Sequence, residues 1–110
     1  MTRRSSPPVM TAEQRAAGRE KATAARRIRA DLKDQLRSGV IVFADLLRIS
    51  NDDDERGQAA TRLRVGEVLL AVPGVGRTQA EQLLLRTDIS GQRRIGQLGE
   101  RQRERLLGAL

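Results

Sequence analysis

The sequence predicts an all-α protein, in which a long projecting N-terminal helix is followed by a small helical domain. Apolar residues recur at helical spacing along most of the chain, and no useful stretch alternates with the period of two that strands require. An early segment rich in Ala, Arg, Glu and Leu contains no proline. With 110 residues, the chain has room for one domain with a modest core, built mostly from Leu and Val.

The N-terminal part divides into a tail and a helix. Residues 1–10 are polar, contain a pair of prolines and lack periodicity, which predicts a flexible basic tail. Thr11 and Gln14 then have the spacing of a capping box, in which each side chain bonds the backbone N–H of the other residue. Residues 11–37 are therefore predicted to form one helix of about 40 Å. Gly39 is its expected stop signal.

Two stripes are separated on the wheel of this long helix. A basic stripe comprises Arg15, Arg19, Arg26, Arg29, Lys33 and Arg37. The acidic residues lie mostly on the opposite side, so few local ion pairs should neutralise it. We expect it to contact nucleic acid, and the alternative is a solvated face. An apolar stripe in the second half comprises Ala25, Ile28, Leu32 and Leu36, so that half should pack on a core while the first half projects.

The helical domain is predicted to occupy residues 38–110. Apolar periodicity indicates four helices there, at residues 41–49, 65–72, 77–86 and 100–110. Pro73 ends the second of them, and residues 88–99 are irregular. The acidic run at residues 51–55 either caps another short helix that reaches Thr61 or forms a solvated loop. In both cases it would repel phosphate and should face away from nucleic acid.

The net charge and the missing residue types restrict the functions that this chain can have. Lys and Arg number 21 against 14 Asp and Glu, a net charge of +7 that favours an anionic partner such as nucleic acid. Without Cys or His, the chain lacks the commonest nucleophiles, general bases and transition-metal ligands. Phe43 is the only aromatic residue, which excludes a row of stacking side chains for single strands. We therefore expect a backbone-binding protein that is not an enzyme and holds no metal or cofactor.

Nothing in the sequence points to a membrane or to secretion. No apolar run approaches the roughly 18 residues that a membrane span requires. The basic residues near the N-terminus are not followed by the apolar stretch of a secretory signal. The expected location is therefore the cytoplasm.

The most informative segment is Pro-Gly-Val-Gly at residues 73–76, between two predicted helices. Gly74 and Gly76 are expected to take backbone angles closed to other residues and to let a ligand approach the backbone. The unpaired amides of Gly76, Arg77 and Thr78 would then favour a DNA phosphate, with Val75 buried. This is a helix-hairpin-helix type of pattern, and the alternative is a plain turn between core helices. It is neither a P-loop nor a dinucleotide fingerprint.

Several segments together resemble the actinobacterial integration host factor family, which consists of small all-helical nucleoid-associated proteins with a helix-two-turn-helix element. The resemblance rests on Thr11–Ala17, Ala24–Arg27, Leu32–Asp34, Arg64–Val65, Pro73–Gly76, Arg93–Arg94 and Leu98–Gly99. It covers residues 11–110, although residues 39–61 match less well. The family usually carries a further basic residue two places after the paired arginines, where this sequence has Gly96.

The resemblance implies a protein that binds, bends and organises double-stranded DNA with low sequence specificity, through backbone and minor groove. It further implies nucleoid association and assistance to phage site-specific recombination, with a phage integrase complex as a partner. We expect a monomer in the free state. The primary DNA site would comprise Arg64, Gly74, Val75, Gly76, Arg77, Thr78, Arg93 and Arg94. The basic stripe of the long helix would supply a second DNA surface.

Three other functions remain open from the sequence. A ribosomal RNA-binding protein of the small subunit uses a similar element, but its turn lies near the start of the chain and a basic tail closes it. A DNA-repair glycosylase would need an N-terminal catalytic domain, for which residues 1–60 offer only a helix and an acidic loop. The third alternative is a protein adaptor that uses the basic stripe to bind an acidic partner.

Overall fold

The computed structural model describes residues 10–110, so the tail predicted at residues 1–10 lies outside the described residues except for Met10. Six α-helices follow one another: α1 (Ala12–Ser38), α2 (Phe43–Ile49), α3 (Glu55–Arg62), α4 (Val65–Ala71), α5 (Arg77–Thr87) and α6 (Glu100–Ala109). A short 3-10 helix at Ile95–Gln97 lies between the last two. Within this part of the chain the only β-type pairing is one isolated bridge. The all-α prediction is confirmed.

The long helix α1 begins and ends where capping chemistry places its ends. The Thr11 hydroxyl accepts from the Gln14 N–H at 3.0 Å, and the Gln14 side chain accepts from the Thr11 N–H at 2.8 Å. At the other end, the Gly39 N–H donates to the carbonyl of Leu36 at 3.2 Å. Thr11 is thus the N-cap, and the helix continues one residue beyond the predicted end at residue 37.

Only the second half of α1 packs on the domain. Leu32 and Leu36 are buried against α3 and α4, whereas nearly every residue of the first half is exposed. The described residues measure 62 × 31 × 25 Å and have a radius of gyration of 17.8 Å. A compact domain of this length would have a radius of gyration of about 13 Å. The first half of α1 therefore projects from the domain.

Two carboxylates define the starts of the short helices α2 and α3. Asp54 accepts from the Gly57 N–H at 2.8 Å, so the acidic run caps a helix rather than forming a loop. Asp45 accepts from the Val42 N–H at 2.9 Å and from the Arg48 guanidinium at 2.6 Å. The backbone bond to Val42, followed by the bond to Arg48, lowers the pKa of Asp45 below its ordinary value of 3.8.

The core combines helical and irregular segments. The largest fully buried side chains are Leu32, Leu36, Leu46, Leu63, Val65, Val68, Leu69, Ile95 and Leu106. Ile89 and Leu98 are also buried, so the irregular segment at residues 88–99 contributes to the core. None of the helices in residues 10–110 combines the length and apolar character that crossing a bilayer requires.

Two arginines on α6 bind the C-terminal ends of other helices. Arg103 donates to the carbonyl of Leu47 at 3.4 Å and to the Ser50 hydroxyl at 3.3 Å, at the end of α2. Arg105 donates to the carbonyl of Thr87 at 3.2 Å, at the end of α5. Positive charge is favourable there because the last carbonyls of a helix carry partial negative charge. These two cations of the domain therefore stabilise its own fold.

Candidate nucleic-acid interface

The turn at residues 73–76 connects α4 to α5. Gly74 has a φ of +83°, the left-handed conformation that glycine tolerates best. The Val75 N–H donates to the carbonyl of Val72 at 3.1 Å, and the Val75 side chain is partly buried against the core. Val75 can therefore offer a ligand only its backbone.

Gly76 differs from the sequence expectation. Its φ of −86° and ψ of 178° are ordinary extended values, so the prediction of a special backbone conformation is wrong at this position. A Cβ built on Gly76 would meet no atom within 4 Å. Nothing inside the described protein therefore requires glycine at this position. Its effect is to leave the backbone open to close approach from outside.

The N-terminus of α5 carries uncompensated positive potential. No side chain on Gly76 caps the helix, and the first amides, including those of Arg77 and Thr78, have no intrahelical partner. The other five α-helices of residues 10–110 each carry an acidic residue in the first turn, but α5 begins with Arg77 instead. A cation there opposes the helix dipole. The end of α5 thus suits an external anion.

Two arginines meet at the other end of α4. Arg64 and Arg94 form the isolated antiparallel bridge. On either side of the pair, the Val65 N–H donates to the carbonyl of Arg93 and the Ile95 N–H donates to the carbonyl of Leu63, each at 2.8 Å. Residues opposite each other in such a bridge project their side chains to the same side. Both guanidinium groups are exposed.

Gln92 and Gln97, which the sequence did not single out, hold Arg64 and Arg93. Gln92 accepts from the Arg64 guanidinium through its amide oxygen at 2.6 Å. The Arg93 guanidinium turns back to the carbonyl of Gln97, with donor distances of 3.1 and 3.3 Å. Arg64 is therefore tied to Gln92 and Arg93 to Gln97, while the Arg94 guanidinium makes no hydrogen bond within residues 10–110. No sequence motif distinguishes the two glutamines, because their roles depend on contacts formed only in the fold.

A groove extends from Arg64, one member of the arginine pair, to Arg77 at the start of α5. It has a volume of about 320 Å³ and runs between α4, α5 and the segment before Arg94. Its lining includes Arg64, Glu67, Leu70, Arg77, Leu84 and Gln92. Because α4 is only about 10 Å long, the two ends of the groove lie within the span of a few phosphates along a duplex. Of the predicted primary residues, the fold thus brings Arg64 and Arg77 into one groove, whereas the glycine turn, Thr78, Arg93 and Arg94 are not part of its lining.

Packing inside the protein explains why residue 96 is a glycine. A Cβ at this position would lie 2.8 Å from the Cβ and 3.2 Å from the carbonyl oxygen of Thr61, at the end of α3. Real side chains essentially never approach so closely, so the neighbouring backbone would have to move. The basic residue that the related pattern carries here is therefore incompatible with this packing.

The basic stripe on α1 is less uniform than the sequence predicts. Lys33 pairs with Glu67 of α4 at 3.2 Å, and Arg37 pairs with Asp34 at 2.8 Å. The expectation of few local ion pairs agrees with the structure, since Arg37 is the one stripe residue that pairs within α1 in residues 10–110 and Lys33 pairs with a different helix. The other four cations form no ion pair within residues 10–110: Arg15, Arg19, Arg26 and Arg29. Most of this unneutralised part lies on the projecting half of the helix.

These features define a class of protein: a helical domain whose two-turn connection joins a glycine turn to a pair of arginines. Residues 36–109 match the family model described as "S13-like H2TH domain". Among residues 10–110, no group of three or more acidic side chains could hold a metal ion.

Similar proteins of known family define the relationship of this chain more closely. The integration host factor of Mycobacterium tuberculosis is 41% identical over 100 residues, which is 91% of each chain. That of Streptomyces coelicolor is 38% identical over 95 residues, 86% of this chain and 85% of its own. A solved structure of "sIHF bound to an 8bp palindromic DNA" is 31% identical, with a TM-score of 0.72, and the match covers 81% of this chain and 96% of that one. The chain belongs to the actinobacterial integration host factor family, as the sequence resemblance predicted.

Proposed function

We propose that this protein binds double-stranded DNA and organises it in the nucleoid, without catalysing a reaction. One observation carries the proposal: the uncapped start of α5 borders a groove lined by Arg64 and Arg77, and Arg64 is paired with Arg94 in the isolated bridge. A solved relative of the same fold is described as bound to DNA. Amides with a helix dipole, flanked by guanidinium groups, form an anion site of the kind that DNA phosphates occupy.

The primary site works by positioning the DNA backbone. The amides of Gly76, Arg77 and Thr78 bind one phosphate, and Val75 supports this turn from the core. Arg64 and Arg94 bind the adjacent backbone or enter the minor groove, while Arg93 braces the segment through Gln97. Phosphate contacts carry little sequence information. Selectivity is therefore low and follows from DNA shape, since arginines favour narrow minor grooves.

The projecting half of α1 supplies a second surface. Arg15, Arg19 and Arg26 lie on its exposed part and can bind a second segment of the same or another duplex. A single chain that holds two segments bends or joins DNA, so no oligomer is needed and the free protein is a monomer. Bending of this kind would also assist a phage integrase complex in site-specific recombination.

Amide chemical shifts recorded while a duplex of about 15 base pairs is added test this proposal. Gly76, Arg77 and Thr78 should shift at the first equivalents of DNA, and Arg15 and Arg19 at higher DNA concentration. If about six phosphates are neutralised, log K should fall against log salt with a slope of roughly −5. A slope near zero, or an unmoved turn, contradicts the proposal.

Ribosomal RNA is the comparison ligand, because the matching family model is described as S13-like. Titration with an RNA duplex of the same length and sequence should give weaker binding than the DNA duplex. Tighter binding of RNA would replace the DNA function with the ribosomal one. Absence of binding to either ligand would favour a protein partner for the basic stripe.

A further inference from the structure

Three ion pairs occur among residues 10–110, and only the pair of Lys33 with Glu67 joins distant parts of the chain. Its atoms lie 3.2 Å apart, and the side chains are 28% and 38% exposed. The other two pairs join residues three positions apart on one helix. Because the Lys33–Glu67 pair is mostly buried, solvent and salt screen it less than a surface pair.

The position of Glu67 in the first turn of α4 is explained by the helix dipole. It lies in the first turn of α4, a helix that begins at Arg64 without a side-chain cap. A carboxylate in the first turn compensates the positive end of the helix dipole. The same carboxylate, however, lines the groove together with Arg64, Arg77 and a second carboxylate, that of Glu81. Left with its full negative charge, Glu67 would repel the phosphates that these arginines bind.

We infer that Lys33 belongs functionally to the primary DNA site, where it neutralises Glu67, and not to the second DNA surface with the other cations of the basic stripe. This inference rests on the proposed function. Lys33 is a positioning residue, because its ammonium group is held by Glu67 and acts on the phosphate only through that carboxylate. The pair lets α4 keep the carboxylate in its first turn while the groove stays favourable for DNA.

The expected size of the effect follows from Coulomb's law. One uncompensated charge about 10 Å from a phosphate, at an intermediate dielectric constant, changes affinity by about fivefold. Lys33→Gln removes the ammonium and should weaken binding of the 15-base-pair duplex by that factor. Glu67→Gln should not weaken binding. The double variant Lys33→Gln with Glu67→Gln should bind DNA within about twofold of the wild type, because removing both charges restores the local balance that the pair maintains.

A matched pair on the same helix provides the control. Arg37→Gln and Asp34→Asn break the exposed Arg37–Asp34 pair, and Asp34 does not line the groove. Because this pair is exposed and well screened, Asp34→Asn should change affinity by less than about twofold and should not restore any affinity lost in Arg37→Gln. The double exchange Lys33→Glu with Glu67→Lys keeps the pair with its charges reversed, and it should bind DNA at least as tightly as the wild type. Thermal unfolding of each variant checks that it is folded.

The result that overturns the inference is a double variant that binds DNA as weakly as Lys33→Gln alone, because a loss that Glu67→Gln does not rescue indicates direct contact of Lys33 with phosphate. Unchanged affinity in Lys33→Gln also overturns it. Failure of the proposed function looks different: the wild-type protein then fails to bind the duplex, or the amides of Gly76 and Arg77 do not shift.

Discussion

Arg64 and Arg94 stand opposite each other across an isolated antiparallel bridge, although 29 residues separate them in the sequence. Their Cα atoms are about 4.5 Å apart in a pairing of this geometry, and like charges directly opposite destabilise it. No carboxylate pairs with either side chain within residues 10–110. The fold thus places two exposed cations side by side, where an external anion would relieve their repulsion.

Removing one cation of this pair should lower DNA affinity without lowering the stability of the fold. Arg94→Ala is expected to leave the free energy of unfolding unchanged or to raise it by a few tenths of a kcal/mol, because repulsion is lost. Its affinity for duplex DNA should fall by about tenfold, with a salt slope shallower by about 1. Urea unfolding and fluorescence anisotropy measure the two effects.

The control for Arg94→Ala is Arg101→Ala, which removes the same charge from an exposed position on α6, outside the groove. Its affinity should stay within about twofold of the wild-type value. Equal weakening by both variants would mean that bulk charge, and not the bridge, determines binding.

Restoring the basic residue of the related pattern should fail. Gly96→Lys is expected to lower the free energy of unfolding by about 1–3 kcal/mol, because its Cβ overlaps Thr61. Gly96→Ala carries the same Cβ without the charge and should lose a similar amount in urea unfolding. If Gly96→Ala is as stable as the wild type, the contact with Thr61 does not explain the glycine.

The sequence predicted the helices well because each depends on local signals. The capping box of Thr11, the stop at Gly39 and the apolar stripe of α1 all act within a few residues. For the acidic run at residues 51–55 the sequence allowed either a helix cap or a loop, and in the structure Asp54 is an N-cap. Local chemistry allowed both a cap and a loop there, and packing of α3 on α1 decided between them.

The parts that the sequence could not predict depend on distant contacts. Ile95 begins the short 3-10 helix in a segment whose sequence shows no periodicity, yet its N–H donates to the carbonyl of Leu63 and its side chain is fully buried. The pair of Lys33 with Glu67 spans two helices and gives no signal on a helical wheel. For the candidate site, the sequence therefore identified the turn and the arginines but not their partners.

The lowered pKa of Asp45 predicts how the stability of the fold depends on pH. Its pKa is lowered in the folded state, mainly by the bond from the Val42 N–H and then by Arg48, so the ionised carboxylate stabilises the fold above pH 3.8. That contribution is lost as the pH falls from 3.8 through the lowered value. The difference in unfolding free energy between wild type and Asp45→Asn should therefore shrink on acidification. A difference that stays constant with pH would contradict this role.

A substitution at Gly76 should change stability and DNA affinity in opposite directions. Serine is a better N-cap than glycine by a few tenths of a kcal/mol, and a Cβ at this position meets no atom within 4 Å. Gly76→Ser should therefore raise the free energy of unfolding slightly. The same side chain would cap the amides of α5 and occupy the path of the phosphate, so affinity for duplex DNA should fall by about tenfold.

Gly108→Ser is the matched control for Gly76→Ser, because Gly108 also has open space around it and lies on α6. It should raise stability through better helix propensity and leave DNA affinity unchanged. Calorimetric unfolding and binding titration of both variants complete the comparison. If Gly76→Ser binds DNA as tightly as the wild type, the start of α5 does not contact phosphate, and the arginines alone must carry the primary site.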